Sequence, residues 1–335
     1  MSEILEEPEA SYCYPIPSIV HYVLLKKDED SIIEFHFAHF LAIYASVVYI
    51  EPERISIHTD FNSSEIENAL KNGSKWTRKD LSTFPKLLTL NSIQVPQWAG
   101  ANELHKIDAI EHKSDFVRWN EIVKVGGIYM DWDVVALRPI SAILNCGFAF
   151  VAGRQYGNEH EDGKVNGTVN NGVFLTKPNS AMARITVREQ PIGFQGDWEG
   201  NQRFRTQVAE RLVAVSNQVL ILDRHAFAPT HWFVESIEAL FLPNEGPPSP
   251  EPVNIISNDP VELYDNIIRN RMNRMDWEMD LSATYLLHAF SQQRHNHDIT
   301  PKKILSRTSN YGIATWEVVR RMKVEGHVSG DEDEG

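Results

Sequence analysis

The succession IPSIVHYVLL (residues 16–25), FHFAHFLAIYASVVYI (35–50) and RISIHTD (54–60) constrains the fold more than any other part of the chain. The first run is apolar, β-branched and introduced by Pro15 and Pro17, the pattern of a buried strand. The second is long enough for a helix and runs into Glu51-Pro52-Glu53, where the proline stops it. The third alternates into a second strand. Strand, helix and strand in that order make a βαβ unit, which demands a parallel sheet. The middle stretch also invites a membrane test, because it carries no formal charge. A bilayer span needs about twenty residues, this one is shorter, and His36 and His39 interrupt it, so it reads as a buried helix.

Further along, SSEIENALKNG predicts a helix with Gly73 just past its end, and residues 104–125 predict another, closed by Gly126-Gly127. IYMDWDV, GFAFVAGR (147–154) and NNGVFLTKP (170–178) read as strands, and NEGPPSPEPVN (244–254) as a proline-rich surface loop. No internal repeat is present. The expectation is a mostly parallel central sheet flanked by helices, in a single domain over residues 15–325.

The net charge of −14 is concentrated at the ends. Glu3, Glu6, Glu7 and Glu9 lie in an acidic tail over 1–14, and Asp331, Glu332, Asp333 and Glu334 in another over 326–335; both are expected to be disordered. No Lys/Arg stripe follows a phosphate backbone, which argues against nucleic acid and anionic membranes as partners. Cys13 and Cys146 make neither a disulfide framework nor a zinc site. The first fifteen residues lack the layout of a signal peptide, so the chain as given reads as cytoplasmic. Asn-x-Ser/Thr at Asn62, Asn72 and Asn166 is no more than chance supplies.

The chemistry is in GGIYMDWDV, residues 126–134. On one continuous strand Tyr129, Asp131 and Asp133 face one side, while Ile128, Met130, Trp132 and Val134 face the other. Two carboxylates this close repel unless a cation lies between them. Oxygen ligands of this kind suit Mg²⁺ or Mn²⁺, usually held by one or two carboxylates together with substrate phosphates. A diphosphate-bearing substrate follows. The alternative is a solvated strand end with no ligand.

In SDFVRWNEIVKVGGIYMDWDV, Asp115 and Arg118 lie three apart on one face of the preceding helix. With them the chain resembles glycosyltransferase family 32, the "DxD sugar-binding" group. The pattern there is an Asp, an Arg three residues on, two glycines and an Asp-x-Asp at the end of a hydrophobic run. The same spacing is similar to that in the glucosylating domains of large clostridial toxins. IPSIVHYVLL, NNGVFLTKPNSAM and YLLHAFSQQ resemble other family segments, extending the likeness over roughly residues 16–290. Val125 stands where the family often has Tyr, Leu24 where it commonly has a Trp against the nucleotide base, and no Trp follows His288.

The resemblance implies a GT-A-like nucleotide-sugar-binding α/β fold. It also implies a retaining, metal-dependent transferase that moves a hexose from GDP-mannose or a UDP-hexose to an acceptor hydroxyl. By it, Asp133 would coordinate Mn²⁺ (or Mg²⁺), Asp131 would assist the metal and hold the ribose or sugar, and Asp115 and Arg118 would grip sugar hydroxyls. Arg118 also reads as a plain ion pair with Asp115, and Tyr129 as donor contact or core. Asn171 reads as a sugar contact or a turn residue, and His288 as a metal ligand, a phosphate contact or a packed side chain. Tyr22 is the aromatic nearest the missing Trp, though it should face the opposite side of its strand. UDP versus GDP stays open, as does the acceptor, which is a glycan, lipid, protein or small metabolite. Family relatives are commonly Golgi-anchored, which sets an omitted N-terminal anchor against the cytoplasmic reading. The competing functional reading is a nucleotide-sugar-binding subunit that does not catalyse transfer.

Overall fold

A computed structural model describes residues 14–100, 105–157, 167–196, 198–253 and 257–335. Cys13, Asn166 and nearly all of the N-terminal acidic tail lie outside the described residues. The strands are β1 (Ile19–Leu24), β2 (Arg54–Thr59), β3 (Leu88–Ser92), β4 (Trp98–Ala99), β5 (His105–Lys106), β6 (Gly127–Met130), β7 (Val134–Ala136), β8 (Phe150–Arg154), β9 (Val169–Thr176), β10 (Val219–Leu222) and β11 (Leu286–His288). The helices are α1 (Phe37–Tyr49), α2 (Ser63–Asn72), α3 (Lys75–Ser82), α4 (Ile110–Val125), α5 (Ser141–Leu144), α6 (Ala181–Gly193), α7 (Trp198–Leu212), α8 (Arg224–Phe227), α9 (Val234–Phe241), α10 (Pro260–Met272), α11 (Pro301–Ser306) and α12 (Asn310–Val324).

Seven strands form the main sheet in the order β10-β8-β9-β6-β1-β2-β3. The β1–β2, β2–β3, β1–β6 and β8–β10 pairings are parallel, and only β9 runs the other way, against β6 and β8. The expected βαβ unit is present, with Val20 opposite both Ile55 and Ile128. A helix apolar almost all round belongs inside a protein, and α1 is such a helix, with Phe37, Phe40, Leu41 and Ile43 fully buried. It packs against β7, α3 and α12. Burying each of these side chains is worth about 2 kcal/mol relative to leaving it in water. No helix among the described residues is long and apolar enough to cross a membrane.

The reversed strand positions the site. Because β9 enters antiparallel, its start lies beside the carboxyl end of β6, pairing Met130 with Val173. The amide of Asp131 then donates to the Gly172 carbonyl at 2.7 Å, and the main sheet ends there. This corrects the expectation of one strand through IYMDWDV. Asp131, Trp132 and Asp133 form a turn closed by Val134 N to Asp131 O (3.0 Å), after which β7 pairs antiparallel with β11.

The helix before β6 ends as the glycines require. Gly126 and Gly127 have φ of +69° and +124°, and a Cβ on Gly127 would lie 2.3 Å from the Ile19 carbonyl oxygen. The C-terminal segment departs from the expectation of disorder. Val328 is buried, Asp333 bonds Thr300 (3.0 Å) and Lys302 (2.8 Å), and Glu332 pairs with Lys75. Its carboxylates thus meet lysines of α3 and α11, which the local composition of the tail does not reveal.

A directed hydrogen-bond chain fastens β1, β2, β3 and α4. The Asn91 side-chain amide donates to His58 Nδ1 (2.9 Å) and to Glu121 (3.3 Å). With Nδ1 accepting, His58 Nε2 donates to His21 Nδ1 (2.8 Å), and His21 Nε2 donates to the Gly126 carbonyl (2.9 Å). Every link requires neutral imidazoles. Burial, reinforced by His58, depresses His21 to about 3, and burial, reinforced by Lys124 and Arg54, depresses His58 to about 4. Both groups are neutral in the folded chain but protonate near 6.5 when unfolded. Their contribution is therefore complete above pH 6.5 and is lost as pH falls toward 4. Each should cost roughly 2 kcal/mol of stability between pH 7 and pH 5. Urea midpoints measured at the two pH values test this: an unchanged midpoint would mean that the two rings take up protons as readily in the folded protein as in the unfolded chain, and His21→Gln should flatten the dependence.

Candidate functional site

A cavity of about 1150 Å³ opens over the ends of β1, β6 and β9, lined among others by Asp115, Arg118, Asp131, Asp133, Asn171 and His288. Four distant segments meet in it: α4, the turn after β6, the start of β9 and the end of β11.

Arg118 lies at the centre. Its Nη1 donates to the Asn171 carbonyl (2.6 Å), and its Nη2 lies 3.1 Å from Asp131 Oδ1 and 3.3 Å from Asp115 Oδ1. The guanidinium covers the Tyr129 ring at 4.4 Å, and the Tyr129 hydroxyl donates to Asp131 Oδ1 at 2.6 Å. Burial opposes the charge on Arg118, but Asp131, Tyr129 and Asp115 hold it protonated. The side-chain nitrogen of Asn171 donates to Asp115 Oδ1 (2.6 Å), while its oxygen accepts from Trp119 Nε1 (3.1 Å). Asp115, Arg118, Tyr129, Asn171 and Asp131 are thus one network. The ion-pair reading of Arg118 is part of it rather than an alternative to it.

Asp131, Asp133 and His288 each offer a ligand atom within 4.8 Å of the others. Burial pushes the Asp131 carboxyl up; Arg118 opposes this and the charge of Asp133 adds to it. Burial acts on Asp133 too, but His288, whose Nε2 is 3.3 Å from Asp133 Oδ1, holds it below the usual carboxylate range. Two crowded acidic oxygens suit a hard divalent cation. The hydrogen-bond pattern gives His288 a different part. Asn170 Oδ1 accepts from the amides of Gly172 (2.7 Å) and Val173 (3.0 Å), which turns its Nδ2 toward His288 Nδ1 (2.9 Å). Nδ1 is then an acceptor, and the ring proton is on Nε2, facing Asp133. A metal-bound histidine normally turns its other nitrogen to an acceptor, so His288 fits a donor role better than the expected ligand role.

Tyr22 is not brought to the cavity. It is fully buried, its hydroxyl is paired with Ser46 Oγ (3.0 Å), and its ring stacks beneath Trp132 at 4.4 Å. Strand alternation had put Trp132 opposite the aspartates, but the turn carries it to the cavity wall, where its Nε1 donates to the Val23 carbonyl (2.8 Å). Sequence reasoning also missed Trp119, the orienting part of Asn170, and Arg205 of α7. Arg205 is 2% exposed, and its Nη2 lies 3.7 Å from Asp115 Oδ2. No motif marks these residues, although the Asn170-Asn171 doublet was visible.

Gly172 shows how tightly the parts fit. A Cβ there would lie 2.5 Å from His288 Cε1 and 2.8 Å from Asp131 Oδ2. Gly172→Ala should therefore displace both side chains, and a divalent cation held by Asp131 and Asp133 would bind at least about tenfold more weakly, as read by paramagnetic titration with Mn²⁺ as the probe. Unchanged affinity would show that the ion is held elsewhere.

The family model described as the glycosyltransferase sugar-binding region containing DXD motif matches residues 22–147. That span includes Asp115, Arg118, Asp131 and Asp133 and ends before Asn170, Asn171, Arg205 and His288. No curated protein matches the chain. Among solved structures, the PaToxG glycosyltransferase is 16% identical, with a TM-score of 0.41 over 60% of this chain and 71% of its own. The glycosyltransferase GlyE of Streptococcus pneumoniae is 11% identical, with a TM-score of 0.37 over 92% of this chain, which spans 64% of it. An active-site mutant of LgtC is 12% identical, with a TM-score of 0.39 over 90% of this chain and 95% of its own. Likeness at this level bears on neither donor nor acceptor. Residues 22–147, with Asp115, Arg118, Asp131 and Asp133 among them, are thus similar to the glycosyltransferase sugar-binding region containing DXD motif.

Proposed function

We propose that the chain transfers a hexose from a nucleotide diphosphate sugar, a UDP-hexose or GDP-mannose, to an acceptor hydroxyl, with retention at the anomeric carbon and dependence on Mn²⁺ or Mg²⁺. The observation that carries this is the closed network from Asp115 through Arg118 and Asn171 to Asp131, set beside Asp133 in one cavity. A solvated strand end has no need of a buried arginine bridging two carboxylates.

Asp131 and Asp133 would hold the cation. When bound there it offsets the charge that develops on the departing diphosphate. Tyr129 and Arg118 hold Asp131 in place, which orients the carboxylate before substrate arrives. His288, with its proton on Nε2, faces the same pocket as a donor suited to a phosphate oxygen. Asp115 and Asn171 supply the acceptor and donor atoms that sugar hydroxyls require. In the proposed step the bond from the anomeric carbon to the diphosphate oxygen breaks and the bond to the acceptor oxygen forms on the same face. The acceptor's proton passes to the diphosphate. A trapped covalent glycosyl-enzyme would replace this route with double displacement.

A donor screen with Mn²⁺ tests the reading by measuring nucleoside diphosphate released from UDP-glucose, UDP-galactose, UDP-N-acetylglucosamine and GDP-mannose. One donor should turn over, and Asp133→Ala should lower kcat/KM by about a hundredfold or more. Metal-dependent binding with no turnover under any acceptor condition would favour the non-catalytic subunit instead. Full activity in Asp133→Ala would refute the metal assignment.

A further inference from the structure

Arg205 is a buried charge with unmet hydrogen-bonding capacity. Its Nε and Nη1 have no hydrogen-bond partner among the described residues, although the side chain is almost wholly inaccessible and lines the cavity. Its neighbour Thr206 clamps α7 to the sheet by accepting from the Val169 amide (2.9 Å), so the arginine is held where it stands. Two buried guanidinium nitrogens without an acceptor are unfavourable, which points to an acceptor supplied by a ligand.

The surroundings say which kind. Asp115 Oδ1 is engaged by Asn171 and Arg118, and Oδ2 faces Arg205 at 3.7 Å. That separation is too long for an N–H···O hydrogen bond. A hydroxyl both donates and accepts. Between the two side chains it would donate to Asp115 Oδ2 and accept from Arg205. A carboxylate would satisfy Arg205 but be repelled by Asp115.

The geometry points to Arg205 as a specificity-determining residue that, with Asp115, reads one hydroxyl of the transferred hexose. The inference rests on the donor-binding reading above and adds a selection among donors: a hexose that lacks this hydroxyl is discriminated against.

Calorimetry with Mn²⁺ tests it, comparing UDP with UDP-glucose and GDP with GDP-mannose on the wild type, Arg205→Ala and Arg205→Lys. The diphosphates should bind all three proteins alike, which also reports that the variants are folded. The affinity that the hexose adds should fall at least about tenfold in both variants. The 2-, 3-, 4- and 6-deoxy forms of the preferred donor then form a cycle. One of them should bind the wild type weakly and be indifferent to Arg205→Ala. Equal losses for diphosphate and sugar nucleotide, or equal effects across all deoxy donors, would overturn the inference and leave Arg205 structural. Tighter wild-type binding of UDP-glucuronic acid than of UDP-glucose would overturn it in favour of a carboxylate. No binding of any of these nucleotides to the wild type would instead defeat the donor-binding reading, and the inference with it.

Discussion

The site depends on one guanidinium. Arg118 is buried, yet it meets the Asn171 carbonyl and the carboxylates of Asp115 and Asp131 from one planar group. Those partners belong to a helix, a turn and a reversed strand that share no local sequence. A flexible ammonium could not span them, since it lacks the rigid fork that sets several directions at once. The arrangement also explains why two aspartates tolerate each other here: Arg118 and the Tyr129 hydroxyl offset Asp131, while His288 offsets Asp133. Each carboxylate has its own compensating partner, so the pair is held before any cation arrives.

Support for this group is layered behind it. Tyr22 and Trp132 form a stack whose lower ring is anchored on Ser46 of α1 and whose upper ring faces the cavity. The apolar central helix therefore does more than fill the core, because it fixes the depth at which the turn lies. The His58–His21–Gly126 chain holds the end of α4 against β1, which sets the register of Asp115 and Arg118 relative to the turn. Such a site is stiff by construction, and stiffness is what electrostatic preorganisation requires.

Much of this was legible in the chain. The parallel core followed from β-branched runs around one uncharged helix, and the end of α4 from Gly126-Gly127, because those signals are local. Asp115, Arg118, Asp131 and Asp133 were legible through their spacing. The break after Met130 was not, since it is caused by the Gly172 carbonyl capturing the Asp131 amide from another strand. Strand alternation consequently misplaced Trp132, while it turned Tyr22 away from the cavity, where the structure leaves it. Arg205 gave no signal, because an arginine on a polar helix looks like surface until its neighbours are known. The C-terminal acids gave a misleading one: their partners, Lys75, Thr300 and Lys302, are invisible from composition.

The pairing of β7 with β11 has a consequence for how the protein is made. The turn bearing both aspartates is held on its far side by Ala289, whose amide donates to the Asp133 carbonyl, and by the short ladder through His288. During synthesis the βαβ core, α4 and β6 are made long before those residues leave the ribosome. Pairings so distant in sequence form late and slowly. Until then β7 is an unpaired edge, and the two carboxylates lack the wall that encloses them. The enclosed cavity is thus completed only when β11 arrives, although most of the residues that line it are made much earlier.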